Sequence, residues 1–280
     1  MNKTSAIGIF DSGIGGLTVG HQISKLMPNE RIIYFGDTKH LPYGDKSSDS
    51  IVRFSKKITS FLLNRKCKMI VVACNTASAI AFNDVKQICN GKAIAVNVID
   101  PVIDYTCKSK TQAVGIIGTK NTILSKVYAT KINSNQSKII TTSLATPLLV
   151  PMIEEGFYKN KISNTILSNY LEREELKGID HLILGCTHYP LIEDEIKQYY
   201  DGAVKIINSA KIVSKYIRKK LTEANLLNDQ IMNQKQEFHV SDYTESFEQS
   251  TQYFFGKRIN LKETRLILSL IHISEPTRPY

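Results

Sequence analysis

Two cysteines stand in matching local settings. Cys74, within Ala73-Cys-Asn-Thr-Ala77, and Cys186, within Gly185-Cys-Thr-His-Tyr-Pro190, each follow a continuous apolar run. Each is followed at once by small hydrogen-bonding side chains suited to opening a helix. A thiol at a helix N-terminus feels the positive end of the macrodipole, which favours thiolate. The spacing predicts two reactive thiols. A disulfide relay would show closely spaced cysteines, which are absent. A cysteine hydrolase could draw on Cys186 with His188 as base, but it would leave Cys74 idle. Cys-Thr-His offers no usual zinc spacing. The arrangement that uses both thiols has one remove a proton from a carbon while the other delivers a proton to the opposite face. That is the chemistry of a two-base racemase or epimerase.

Two further segments carry polar groups just after apolar runs. Asp11-Ser-Gly-Ile-Gly-Gly16 lacks the spacing of a dinucleotide loop, since Thr18 stands where the third glycine belongs, and it lacks a phosphate-loop lysine. Asp11 or Ser12 could simply cap a helix. Gly13, Gly15 and Gly16 together exceed what a cap needs, and they would let backbone N–H groups approach an anion. Gly36-Asp-Thr-Lys-His-Leu-Pro-Tyr-Gly44 is a polar loop with a turn at Pro42.

The elements that must hold these segments alternate short β-branched runs with amphipathic stretches. Strands are predicted at 6–10, 31–35, 69–73, 93–99, 113–118, 138–143, 181–185 and 204–208. A helix is predicted over 51–63, with Ile51, Phe54, Ile58, Phe61 and Leu62 on one face, and a final helix ends near Gly256. Apolar runs this continuous belong to parallel strands covered on both sides, and the alternation is that of an α/β fold. The chain also repeats itself faintly. Residues 6–12 resemble 113–119, and Val71-Val-Ala-Cys-Asn-Thr76 resembles Ile183-Leu-Gly-Cys-Thr-His188, at offsets of 107 and 112 residues. The expectation is two pseudo-symmetric lobes, each a mostly parallel sheet flanked by helices. The first takes residues 1–100 plus 209–266 and the second residues 101–208, with the active site in the cleft between them and one thiol on each side. Parallel sheets bind ligands beyond the carboxyl ends of their strands, where all four segments fall. Residues 267–280, broken by Pro276 and Pro279, fit neither lobe and read as a disordered or non-native tail.

Composition narrows the classes. The 280 residues are 42% hydrophobic and 22% charged, which excludes a wholly disordered chain. No apolar run approaches the roughly 18 residues of a membrane span. The first, residues 6–10, is too short for a signal peptide, so a cytoplasmic location is expected. A formal charge of +10 invites a nucleic-acid partner. Its two modest clusters, at 53–68 and 205–220, instead alternate with apolar residues at helical spacing and read as solvated helix faces. Five scattered cysteines form no Cys-x-x-Cys pair and no disulfide framework. Cys67, Cys89 and Cys107 read as structural thiols.

The segments Ile9-Phe-Asp-Ser-Gly-Ile-Gly-Gly-Leu17, Phe35-Gly-Asp-Thr-Lys-His-Leu-Pro-Tyr-Gly44, Val72-Ala-Cys-Asn-Thr-Ala-Ser-Ala79 and Leu184-Gly-Cys-Thr-His-Tyr-Pro-Leu191 resemble the glutamate racemase family of the aspartate/glutamate racemase superfamily. Leu149-Val-Pro-Met-Ile-Glu-Glu-Gly156 and Val240-Ser-Asp242 match it too, so the resemblance runs from about residue 6 to 256 in family order. It implies a cofactor-independent enzyme that interconverts L- and D-glutamate and supplies D-glutamate for peptidoglycan. It implies Cys74 acting on D-glutamate with help from Asp11, and Cys186 acting on L-glutamate with help from His188. It implies substrate contacts from Asp11, Ser12, Tyr43, Gly44, Asn75, Thr76, Thr187 and His188, with Glu154 a candidate that its neighbour Glu155 makes ambiguous. The expected partners are glutamate and a second copy in a homodimer, with no nucleic acid, membrane or metal required. The competing readings are an aspartate or hydantoin racemase of the same superfamily, and a non-catalytic binding module.

Overall fold

The computed structural model describes residues 1–136, 138–230 and 236–266. The expected tail at 267–280 lies outside the described residues. Among the described residues ten strands, all parallel, form two sheets. In chain order they are β1 Ile7–Asp11, β2 Ile32–Gly36, β3 Met69–Val72, β4 Ile94–Asn97, β5 Ala113–Gly118, β6 Ile140–Ala145, β7 His181–Gly185, β8 Lys205–Ile207, β9 Glu237–Val240 and β10 Lys262–Glu263. The first sheet runs β10-β9-β2-β1-β3-β4 and the second β6-β5-β7-β8. Without its two added strands the first sheet has the order 2-1-3-4, and the second repeats that order. The faint internal repeat is therefore matched by topology, with β1 equivalent to β5 and β3 to β7.

The predicted strands are all present, within about two residues at most ends. β1, β2, β3 and β7 are buried throughout, which explains why they read as unbroken apolar runs. No strand signal in the sequence marks β9 or β10. β9 is four residues beginning Glu-Phe-His, and β10 is two exposed charged residues at the sheet edge.

Helices cover both faces of each sheet. Helix Ser48–Asn64 starts where the Ser47 side chain accepts a hydrogen bond from Ser50 N, and it buries Ile51, Phe54, Ile58 and Leu62 against the outer face of the first sheet. Helix Glu245–Phe255 ends at Gly256, whose φ of 79° is the left-handed conformation that glycine adopts freely at a helix end. One continuous apolar cluster joins the two sheets. It runs from Ile7 and Ile9 through Leu17 and Ile23 to Val213 and Ile217, and on to Leu182 and Leu184. The cluster sets the sheets so that the carboxyl ends of β1 and β3 and those of β5 and β7 border the same cavity. In each sheet the chain leaves the central strand on one side and returns on the other at that point, which opens a crevice for a ligand. Among the described residues no helix is long and apolar enough to cross a membrane.

Candidate active site

The cavity encloses about 220 Å³, below the roughly 300–1,000 Å³ of pockets for drug-sized ligands. It suits a smaller molecule. Cys74 lies two residues beyond β3 and Cys186 directly after β7, and both line it. Of the other candidates, Ser12, Tyr43, Gly44, Asn75, Thr76, Glu154, Thr187 and His188 also line it. Asp11 does not. It is fully buried behind the wall, where its carboxylate accepts hydrogen bonds from Gly13 N at 3.0 Å and the Thr187 hydroxyl at 3.4 Å.

The surroundings of the two thiols differ. Cys74 is the N-cap of helix Asn75–Ile80, and its sulfur accepts a hydrogen bond from Ala77 N at 3.4 Å. It also lies 3.7 Å from Ser12 Oγ, to which the thiol donates. The helix terminus was expected to favour thiolate. Burial outweighs it, and with Asp11 adding like charge nearby the thiol is pushed up to about 12. Cys74 is therefore a neutral thiol at neutral pH.

Cys186 has no α-helix directly after it. Pro190 helps draw Tyr189–Ile192 into a 3₁₀ turn, so the macrodipole expected there is not built. His188 takes its place, with Nδ1 at 3.7 Å from Cys186 Sγ and Nε2 at 2.9 Å from Glu154 Oε1. Burial opposes charge on this imidazole, but hydrogen bonds and charge from Cys186 and Glu154 overcome it and raise His188 to about 10. A protonated imidazole thus bridges the sulfur and the carboxylate. The ambiguity between Glu154 and Glu155 also resolves, since Glu155 is exposed at the end of helix Leu149–Glu154.

Two glycines of the segment serve close packing. Gly13, Gly15 and Gly16 do not line the cavity. A Cβ on Gly15 would sit 2.4 Å from the His188 ring and 2.6 Å from Thr187 Oγ1, and one on Gly16 would sit 2.5 Å from Asp11 Cβ. The loop is bare so that His188 and Asp11 can pass close beneath it. Phe254 meets the His188 ring edge-on, with centroids 5.2 Å apart.

Neutral groups make up much of the rest of the wall. Thr76, Thr119 and Thr122 form a closed triangle of hydroxyls with edges of 2.9, 3.2 and 3.0 Å. The Tyr43 hydroxyl is committed to Asp37 Oδ2 at 2.6 Å, so this residue offers the cavity its ring and backbone. Asn121 Nδ2 donates to Tyr43 O and Lys46 O and fastens that loop to the second sheet. Sequence reading missed Thr119, Lys120 and Thr146 in the wall. The repeat held the signal for one of them, because Thr119 is the counterpart of Ser12.

Comparison with known proteins bears on what this cavity holds. A family model described as Asp/Glu/Hydantoin racemase matches residues 19–217. The glutamate racemase of Geobacter metallireducens is 38% identical over 91% of this chain and 94% of its own length. Among solved structures, glutamate racemase from Francisella tularensis, in complex with D-glutamate, superposes with a TM-score of 0.88 at 38% identity, covering 94% of this chain and 98% of that one. The glutamate racemase isoform RacE1 from Bacillus anthracis gives a TM-score of 0.89 at 32% identity, covering 95% and 99%.

Proposed function

The chain belongs to the Asp/Glu/Hydantoin racemase family, and from that membership we propose that it interconverts L- and D-glutamate with Cys74 and Cys186 as its two acid/base groups. It is an amino-acid racemase, an isomerase. The observation that carries the mechanistic reading is the placement of two cysteines at equivalent strand ends of two equivalent sheets, both lining one small cavity.

In the L-to-D direction the Cys186 thiolate takes the Cα proton. The C–H electron pair stays on Cα, delocalised into the α-carboxylate, and the Cys74 thiol delivers its proton to the other face. Cα exchanges one hydrogen for another and inverts. The electrostatics support this division. The protonated His188, held by Glu154, presents positive charge to Cys186, while Cys74 rests as a neutral thiol able to donate. In the reverse direction Cys74 must first lose its proton. On that side the family resemblance points to Asp11, whose carboxyl burial holds above the ordinary carboxylate range, as the group that assists the thiol. The Ser12 hydroxyl, the Asn75 amide and the backbone at Tyr43, Gly44, Thr76 and Thr187 hold the two carboxylates without adding a competing base. The reaction calls on no cofactor. Family resemblance, rather than the site, supports a cytoplasmic homodimer that supplies D-glutamate for peptidoglycan.

Chiral chromatography of L-glutamate and L-aspartate incubated with the purified protein, without added cofactor, tests the reading. L-glutamate should approach equal amounts of both isomers and L-aspartate should persist. Turnover of aspartate alone would move the protein to a sister activity, and turnover of neither would leave a binding module.

A further inference from the structure

Asn75 lies in the cavity wall at the start of helix Asn75–Ile80 and is 3% exposed. Its amide has two unlike ends. Oδ1 accepts a hydrogen bond from the Tyr128 hydroxyl at 2.7 Å, while Nδ2 is buried with no partner among the described residues. A buried N–H group without an acceptor costs roughly 1–3 kcal/mol, so an unpaired donor in the wall of a cavity points to a ligand that supplies an acceptor. A carboxylate of the substrate is such an acceptor. If the amide turned over, Oδ1 would face that carboxylate and repel it. Which way the amide lies therefore decides whether this wall attracts or rejects an anion.

Tyr128 comes from the other half of the molecule. It sits on helix Val127–Asn135, and its ring belongs to the core of the second sheet with Val102, Ile116 and Ile132. Asn75 follows β3 of the first sheet. We propose that Tyr128 is a positioning residue for substrate binding: its hydroxyl, reaching across from the second sheet, holds Oδ1 of Asn75 and thereby keeps Nδ2 turned into the cavity as a donor to a substrate carboxylate. The proposal rests on the racemase reading given above. Tyr128 does not line the cavity, so it acts only through Asn75. Burial holds its hydroxyl protonated well above the ordinary tyrosine range, so it remains a donor wherever the enzyme works.

A double-mutant cycle with Tyr128→Phe and Asn75→Ala tests this, read by glutamate affinity from calorimetry, by KM and kcat, and by thermal melting. Tyr128→Phe should raise KM and Kd about five- to tenfold, the scale of one ordinary hydrogen bond, because the amide is freed to turn rather than removed, with kcat falling by less than KM rises. Asn75→Ala should weaken binding at least as much. In the Asn75→Ala background Tyr128→Phe should then add nothing, because the group it orients is gone. An unchanged KM in Tyr128→Phe, or an equal loss in both backgrounds, would overturn the proposal and leave Tyr128 a packing residue. A wild-type protein that binds glutamate but does not racemise it would defeat the racemase reading instead. The Kd values of the same variants would still decide the role of Tyr128.

Discussion

Replacing Glu154 with Gln removes the carboxylate 2.9 Å from His188 Nε2 while keeping an amide oxygen to accept the hydrogen bond. The loss is therefore mainly one of charge. At an effective dielectric near 20, unit charges about 4 Å apart attract by roughly 4 kcal/mol, about three powers of ten in a proton equilibrium. His188 stands at about 10 with both partners present, and it should fall to about 7 in the Gln variant, where burial presses it further down. Histidine-labelled protein followed by NMR against pH reads this directly, with the resonance assigned from His188→Asn. The same pair has a signature in stability. A group raised from 6.5 in the unfolded chain to about 10 in the fold stabilises fully below pH 6.5, and loses that contribution as pH rises through 10. The stability gap between the wild type and Glu154→Gln should thus be widest below pH 6.5 and narrow towards pH 10. A wild-type His188 that titrates near 6.5, or a variant in which it stays near 10, would refute the bridge between Cys186 and Glu154.

Three other perturbations probe separate parts of the site. A compound that loses a leaving group once its α-proton is removed needs only one base, so Cys74→Ser should process its L-isomer alone and Cys186→Ser its D-isomer alone, each scored by release of the leaving group. Loss of the same isomer in both variants would contradict opposed thiols. Gly15→Ala places a methyl group 2.4 Å from the His188 ring; denaturant unfolding should show a loss of about 1–3 kcal/mol, and kcat/KM should fall by about tenfold or more as the ring shifts from Cys186. Because Cys74 is pushed up to about 12, iodoacetamide should label it no faster than an ordinary free thiol at pH 7, as mass spectrometry of the labelled peptides would report.

The parts of this molecule that were legible beforehand are those written in local pattern. Runs such as Met69–Val72 and His181–Gly185 are buried on both faces, so hydrophobicity alone marks them as strands. Cys74 and Cys186 stood out because each breaks such a run in the same way. What escaped depends on contacts far apart in the chain. Gly15 read as an anion loop because nothing nearby in sequence reveals that His188, 173 positions later, passes beneath it. The helix at Asn75 argued for a thiolate at Cys74, but the degree of burial that reverses the effect is set by the packing of two sheets. Tyr128 carried no signal, since the residue its hydroxyl holds in the site lies 53 positions earlier. β9 and β10 were missed because strands of four and two residues with charged or histidine positions lack the apolar run by which strands announce themselves.

With opposed thiols, the group taking the proton from Cα is not the group that returns one. Incubation of L-glutamate with the protein in deuterated water, stopped early and resolved by isomer and mass, tests it most directly. The D-glutamate formed should carry solvent deuterium at Cα while the remaining L-glutamate keeps its original hydrogen. D-glutamate that retains the substrate's own hydrogen, or L-glutamate that gains deuterium as fast as it racemises, would contradict two opposed thiols.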